Sequence, residues 1–380
     1  MPPVVLLACG DVGPIHRLAG GYALRVKSTL AEADLRFAQC ERVYSNRGTE
    51  PARSGERHSR VDPAMADVFS ECAFDVVSVA SNHAMDWGAE ALLDSIATLQ
   101  SRGIATVGVG IDLDAARTPA VLERHGVRVA FLARCSVLRD GYEATAHRPG
   151  VAPLRVHTRY ETAEYQAGMP PRVITEPFAE DLAGLLDDIR AARTRADVVV
   201  VSLHWGLHFI PRLIADYQPA VARAVIAAGA DVIVGHHAHV PKAIEVIDDK
   251  ACFYSLSNFI MSAPSASAER RHIFQHRYRV ELDPDYPHLP YGVDAKRSLI
   301  ARLSMGRRGI ERVGFLPVMI DRDLRPEVLR AGDPRFDDAV RYMEWASDGM
   351  PHYFGVDGNE VVVTAPHPDA STAKHRVQHA

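Results

Sequence analysis

Residues 75–88 read DVVSVASNHAMDWG. A short run with valine at 76, 77 and 79 gives way to an amide, an imidazole and a carboxylate (Asn82, His83 and Asp86) ahead of Gly88. A β-branched apolar run bounded by polar residues predicts a buried strand. A tight turn out of that strand needs only the glycine. The three polar groups therefore ask for a chemical explanation.

The same pattern recurs along the chain. Apolar runs at 4–9 (VVLLAC), 104–110 (IATVGVG), 127–133 (VRVAFLA), 197–205 (DVVVVSLHW) and 231–235 (DVIVG) predict further strands. Amphipathic patterns at 89–101, 181–193 and 215–228 predict helices between some of them. Runs that are apolar throughout fit sheets covered on both faces. After residue 240 the strand signals at 243–248, 251–259, 276–282 and 299–305 come close together, as in hairpins and meanders. The sum predicts an α/β half followed by a β-rich half, with two sheets packed as layers. Residues 138–178 have no clear period and read as a lid-like loop. One catalytic domain is expected over 1–355, and 356–380 has the composition of a flexible tail.

Composition narrows the function classes. The 380 residues are 47% hydrophobic and carry a net charge of −5, so no global basic field points to nucleic acid or an anionic membrane as partner. Five cysteines without C-x-x-C spacing argue for reduced thiols and against a disulfide framework or zinc knuckle. The amino-terminal apolar run is too short for a signal core or a membrane span. A cytoplasmic protein is the expectation.

Metal-competent residues sit just past the carboxyl ends of the predicted strands: Asp11, Asn82 with His83, His204, then His237 and His239. Ligands of open α/β sheets bind in that crevice. Taken singly, Asp11 also suits an Asx turn, and His204 beside Trp205 reads as a core histidine. GHHAHV (235–240) is different, because burying three imidazoles in four positions costs desolvation with no structural return. On an extended segment His237 and His239 share one side and can converge on an ion, while His236 points away as a supporting residue. Glu41, closing an apolar stretch with Leu35 and Phe37, is the sixth candidate.

GD (10–11), Glu41, SNHAMDWG (81–88), SLHWG (202–206), GHHAHV (235–240) and YSLSNF (254–259) resemble, in order and spacing, the CapA-like family. That family is named for capsule and poly-γ-glutamate synthesis and belongs to the calcineurin-like metallophosphatase superfamily. The resemblance covers about residues 4–265. It implies an α/β fold, the calcineurin-like four-layer α/β/β/α sandwich with two mixed β-sheets. It also implies Asp11, Glu41, Asn82, His204, His237 and His239 as metal ligands, and His83 as the histidine acting on the reacting group. Three departures stand out: the superfamily's D-x-H is here Asp11-Val12-Gly13, its bridging aspartate has only Glu41 as stand-in, and the family's usual amino-terminal membrane anchor is not expected.

Two chemistries follow. Phosphoester hydrolysis would pair the metal with a proton donor, His83. Inversion at a peptide Cα needs two acid/base groups on opposite faces: His83 oriented by Asp11 or Asp86, and a second imidazole such as His236 or His237 with another carboxylate. The resembling family includes a cytoplasmic enzyme that epimerises the carboxyl-terminal residue of a lasso-peptide precursor around one calcium ion. That makes a peptide epimerase the leading expectation. Its substrate is a ribosomal precursor peptide, with Arg139, Arg148 and Arg155 as carboxylate clamps and Trp205 as a substrate contact. A metallophosphoesterase or a poly-γ-glutamate-related CapA-type enzyme is the alternative, and a non-catalytic binding module the third reading. One divalent ion and no organic cofactor are expected. The relative implies calcium, whereas an imidazole-rich donor set suits manganese or zinc.

Overall fold

The computed structural model describes residues 3–50 and 60–366. Its larger sheet has ten strands. Val4–Gly13, Leu35–Cys40, Val76–Ser78 and Ala105–Val107 run parallel on one side of it. Arg297–Gly306, Gly309–Ile320 and the hairpin Tyr353–Asp357/Glu360–Thr364 run antiparallel on the other. The smaller sheet has six strands, with a parallel centre of Val127–Cys135, Val198–His204, Val232–His236 and Lys250–Phe253.

Alternation along the strands builds the layers. Val129, Phe131, Val198, Val200, Val232 and Val234 of the smaller sheet share one core with Leu6, Phe37 and Val76 of the larger. Phe37 stacks on Phe131 across that gap, with ring centroids 5.8 Å apart. The opposite face, including Leu132, Val199, Val201 and Ile233, is covered by the helices Ala179–Arg193 and Tyr217–Ala227. Helices Asp67–Glu71 and Gly88–Gln100 cover the larger sheet through Val68, Phe69, Leu92 and Leu99. Helix, sheet, sheet, helix is the expected α/β/β/α order. Each fully buried large apolar side chain contributes about 1.5–3 kcal/mol, so the inter-sheet core is the main stabilising layer.

Four local expectations are corrected. Residues 276–282 are not a strand. Ser267 caps the helix Ala268–Tyr278 by accepting from Arg270 N–H, and Phe274 and Tyr278 fall four apart on one helix side, a spacing that outweighs the short alternation of HRYRV. The run 251–259 is two strands, because Ser257 adopts φ 70° and turns the chain out of the smaller sheet into the larger, where Asn258–Met261 pairs with the first strand. Within 138–178 lies a hairpin, Val156–Glu161 with Arg172–Pro177. It is exposed along most of its length, so no apolar alternation marks it. The expected tail begins too early: Glu360–Thr364 joins the larger sheet, and of the stretch 356–380 the part 367–380 lies outside the described residues.

Among the described residues no helix is long and apolar enough to cross a membrane. The five cysteines are free and buried. Burial pushes each thiol up, so none is prepared as a nucleophile.

Candidate metal centre and its histidine dyad

The parallel strands of both sheets end at one edge and deliver the polar residues there. The amino-terminal strand carries Asp11, whose N–H donates to Ser257 O at 2.9 Å. Glu41 follows Cys40 directly, and Asn82 and His83 follow the strand Val76–Ser78. His204 ends its strand, and His236 ends the next. Gly10 allows the close approach: a Cβ there would lie 2.0 Å from Ser257 O.

The segment after His236 is not extended as expected. His237 has φ 88° and His239 φ 57°, left-handed conformations that non-glycine residues adopt at a cost of about 1–3 kcal/mol each and that cluster at functional sites. The two imidazoles still converge, because the turn rather than a strand aims them.

All six expected ligands form one connected cluster. His204 Nε2 is 2.7 Å from Asn82 Oδ1 and 3.2 Å from His237 Nδ1, about the separation of neighbouring ligand atoms around an ion with ~2.0–2.2 Å bonds. Asp11 Oδ2 is 3.7 Å from His239 Nδ1. Glu41 lies between the two groups, with Oε2 3.7 Å from His204 Nδ1 and Oε1 4.0 Å from His239 Nε2. Asp11, Glu41 and His204 by themselves place one ligand atom each within 4.8 Å of the others.

The donors fit a divalent cation. Glu41 Oε1 and His204 Nδ1 are buried without a hydrogen-bond partner, a costly condition that a cation relieves. Burial, and then Asp11 beside it, hold the Glu41 carboxyl well above the usual carboxylate range. Burial, then neighbouring imidazoles, hold His204 and His237 well below theirs. Burial lowers His239 too, against Asp11. Neutral imidazoles are ligating imidazoles.

His83 stands apart from this buried set, with its side chain 26% exposed. Its Nδ1 lies 2.6 Å from Asp86 Oδ2, so Asp86 is the orienting carboxylate. Asp11 instead faces His236 Nδ1 at 3.1 Å and accepts from His237 N–H at 3.4 Å. Ser81 Oγ donates to Glu41 Oε2 at 3.1 Å and accepts from His83 N–H at 3.0 Å, tying the dyad to the cluster.

Several contributors escape sequence reasoning. The Tyr142 hydroxyl donates to Asp86 Oδ1 at 3.1 Å. Burial and Asp86 push it up to about 12. Asn258 Oδ1 lies 2.7 Å from His239 Nδ1, and Tyr291 stacks on the His239 ring at 4.4 Å. His208 packs on His237 with centroids 3.7 Å apart. The repeated histidine of HWGLH and the asparagine of YSLSN were signals. Tyr142 and Tyr291, in irregular segments, left none.

The expected substrate contacts divide. The Arg139 guanidinium reaches the Tyr142 hydroxyl and so the dyad. Arg148 is engaged by Glu143 at 2.8 Å and Arg155 by Asp181 at 2.7 Å, so neither is a ready carboxylate clamp. Trp205 is not a substrate contact: it is 1% exposed, stacks on Tyr254 and donates to Tyr254 O.

A layered pair of mixed sheets thus gathers carboxylates, amides and imidazoles at the carboxyl ends of its parallel strands as a candidate metal site. The bacterial capsule synthesis protein family PGA_cap matches residues 15–263, and the chain belongs to that family. The match contains every candidate ligand except Asp11. The chain is similar to the PGA biosynthesis protein CapA of Bacillus subtilis, 32% identical over 208 residues, 54% of this chain and 47% of that one. The capsule biosynthesis protein CapA of Bacillus anthracis is 31% identical over 190 residues, 50% and 41% of the two chains. A probable polyglutamine synthesis accessory protein of Mycobacterium tuberculosis is 30% identical over 193 residues, 49% and 44%. The chain thus spans about half the length of the curated relatives it matches. Among solved structures, a calcineurin-like phosphoesterase of Bacillus subtilis aligns over 86% of this chain and 88% of that one, at 12% identity and TM-score 0.38.

Proposed function

We propose that the chain is a metal-dependent hydrolase acting on a glutamyl amide bond of a carboxylate-rich capsule-type polymer. The observation that carries this reading is the place of Glu41. Its Oε2 lies 3.7 Å from His204 Nδ1 and its Oε1 4.0 Å from His239 Nε2, so one buried carboxylate stands between the two imidazoles and, with Asp11 and His204, offers a mixed oxygen and nitrogen donor set to a hydrolytic ion. A divalent metal held by these residues supplies Lewis acidity for an attacking water and for the substrate carbonyl. Mixed nitrogen and oxygen donors support manganese or zinc over calcium.

The chain's own residues do the rest. Asp86 holds His83 through Nδ1, and the work on substrate is assigned to the other ring nitrogen, Nε2. Cleaving an amide expels an amine, and that leaving nitrogen needs a proton as the C–N bond breaks. His83 delivers it from Nε2, and Asp86 stabilises the imidazolium beforehand. The names of the relatives, concerned with PGA and capsule synthesis, support the polymer class.

A second reading is inversion at the Cα of a peptide's carboxyl-terminal residue, as in lasso-type precursors. It is favoured by the second histidine–carboxylate couple, His236 with Asp11. That couple is fully buried, however, and cannot meet a substrate face opposite His83, so hydrolysis remains the conclusion.

One experiment separates the readings. The manganese-loaded protein is incubated in D₂O with poly-γ-glutamate, with candidate precursor peptides and with p-nitrophenyl phosphate esters. New polymer amine ends, lost on His83→Ala, are expected. Deuterium gained at a peptide Cα without cleavage, or phosphate release alone, would overturn the proposal.

A further inference from the structure

The excursion 263–291 starts and ends at the metal centre. Its first anchor is Asn258, bonded to His239 and paired in register with Asp11. Its last is Tyr291, stacked on His239. Between them the helix Ala268–Tyr278 buries no residue. Phe274 and Tyr278 hold it to the body, their rings each 4.9 Å from Phe209. Phe209 in turn stacks on His239 at 5.8 Å. One aromatic cluster thus ties the helix to a candidate ligand.

The helix and its cap carry Arg270, Arg271, Arg277 and Arg279, all exposed. Among the described residues no carboxylate pairs with any of the four. The neighbouring acids are few, Glu269 in the first turn and Glu281 beyond the cap. Elsewhere helical arginines are paired: on Ala179–Arg193, Arg190 meets Asp187 and Arg193 meets Asp231. In a chain of net charge −5, four cations within ten residues with no carboxylate partner among the described residues, Arg271 donating only to Ala266 O, are a local reversal of sign beside the centre.

We propose that this helix is a strap that binds a polyanionic carboxylate polymer and guides it to the metal centre. Arg270 and Arg277 lie two turns apart on one side, about 10 Å along the axis, so they reach successive charges of an extended chain. Charge complementarity selects the occupant. The rings that would enter a lipid surface or stack on bases, Phe274 and Tyr278, are engaged with Phe209, leaving Ile273 as the exposed large apolar residue of the helix. The proposal takes its polymer from the hydrolase reading, but binding by the strap does not require catalysis.

The test uses the full chain loaded with manganese. Fluorescence anisotropy compares labelled poly-γ-glutamate, dextran, a single-stranded oligonucleotide and phosphatidylglycerol vesicles across a salt series. Wild type is expected to prefer poly-γ-glutamate. R270Q/R271Q/R277Q/R279Q is expected to weaken that binding by on the order of tenfold or more at low salt, and to lower the slope of log K against log salt by about 3, by analogy with single strands. R308Q/R330Q, exposed arginines elsewhere, should match wild type, and circular dichroism checks folding of each variant. Equal affinity of the quadruple variant, a loss shared by R308Q/R330Q, or tighter binding to oligonucleotide, vesicles or dextran would overturn the strap. Arginine-dependent binding without polymer cleavage would remove the hydrolase reading and leave the strap standing.

Discussion

At the scale of the residue, the dyad is the part whose geometry speaks most directly to chemistry. His83 and Asp86 lie three apart on a turn, and a third group, Tyr142, fixes the carboxylate from a distant segment. Asp86→Asn replaces the acceptor that sets the His83 tautomer. Turnover should fall by roughly 10²–10⁴-fold with metal content unchanged. Tyr142→Phe removes one hydrogen bond, worth about 1 kcal/mol, so a smaller loss of roughly fivefold is expected, with a displaced pH–rate profile. A Tyr142→Phe variant as impaired as Asp86→Asn would mean that Tyr142 meets the substrate itself. The sequence made His83 and Asp86 visible because they share one motif. It left open whether Asp11 or Asp86 orients the ring, since that depends on where strands distant in sequence end.

At the scale of the element, the centre depends on how closely the amino-terminal strand meets the 254–257 crossing. Gly10 has no Cβ to keep Ser257 O away, and Asp11 N–H bonds that same oxygen. Gly10→Ala forces the crossing outward, at a cost of roughly 2–4 kcal/mol, and carries Asn258 away from His239. Denaturant unfolding should show that loss, and titration should show weakened metal binding. Full stability in this variant would refute the close-approach argument. Many helix and strand interiors were legible from period alone. Of the missed elements, Ala268–Tyr278 and the hairpin in 156–177 lie on the surface with little buried apolar area, where periodicity carries no signal, whereas Leu35–Cys40, Gly309–Ile320 and Pro334–Ser347 do bury apolar residues and went unread.

At the scale of the whole molecule, a buried cluster of neutral imidazoles makes stability depend on pH. The histidines 204, 208, 237 and 239 have folded values below the ordinary 6.5, chiefly through burial. The unfolded chain therefore takes up protons first as pH falls below 6.5, and stability is lost in that direction. Glu41, raised by burial and Asp11, acts oppositely: the folded state gains protons first, so acidification down to its ordinary 4.5 favours folding. Four groups oppose one, so metal-free protein should melt at falling temperature below pH 6.5. Glu41→Gln, which removes the opposing group, should steepen the fall. A flat melting profile between pH 7 and 5 in EDTA would contradict the buried cluster.

The sequence by itself determined the buried parallel strands that lead to the centre and the kinds of residue at their carboxyl ends, because period and composition are local properties. It also carried the family's motifs, and with them six of the residues that meet at the centre. Only the tertiary structure decided which partner each one takes. Glu41 between two donor groups, Asp11 on His236, Tyr142 on Asp86 and an arginine-rich helix tied through Phe209 to His239 all join segments far apart in the chain. Such pairings follow from sheet order and from where each strand stops, and no local pattern encodes either.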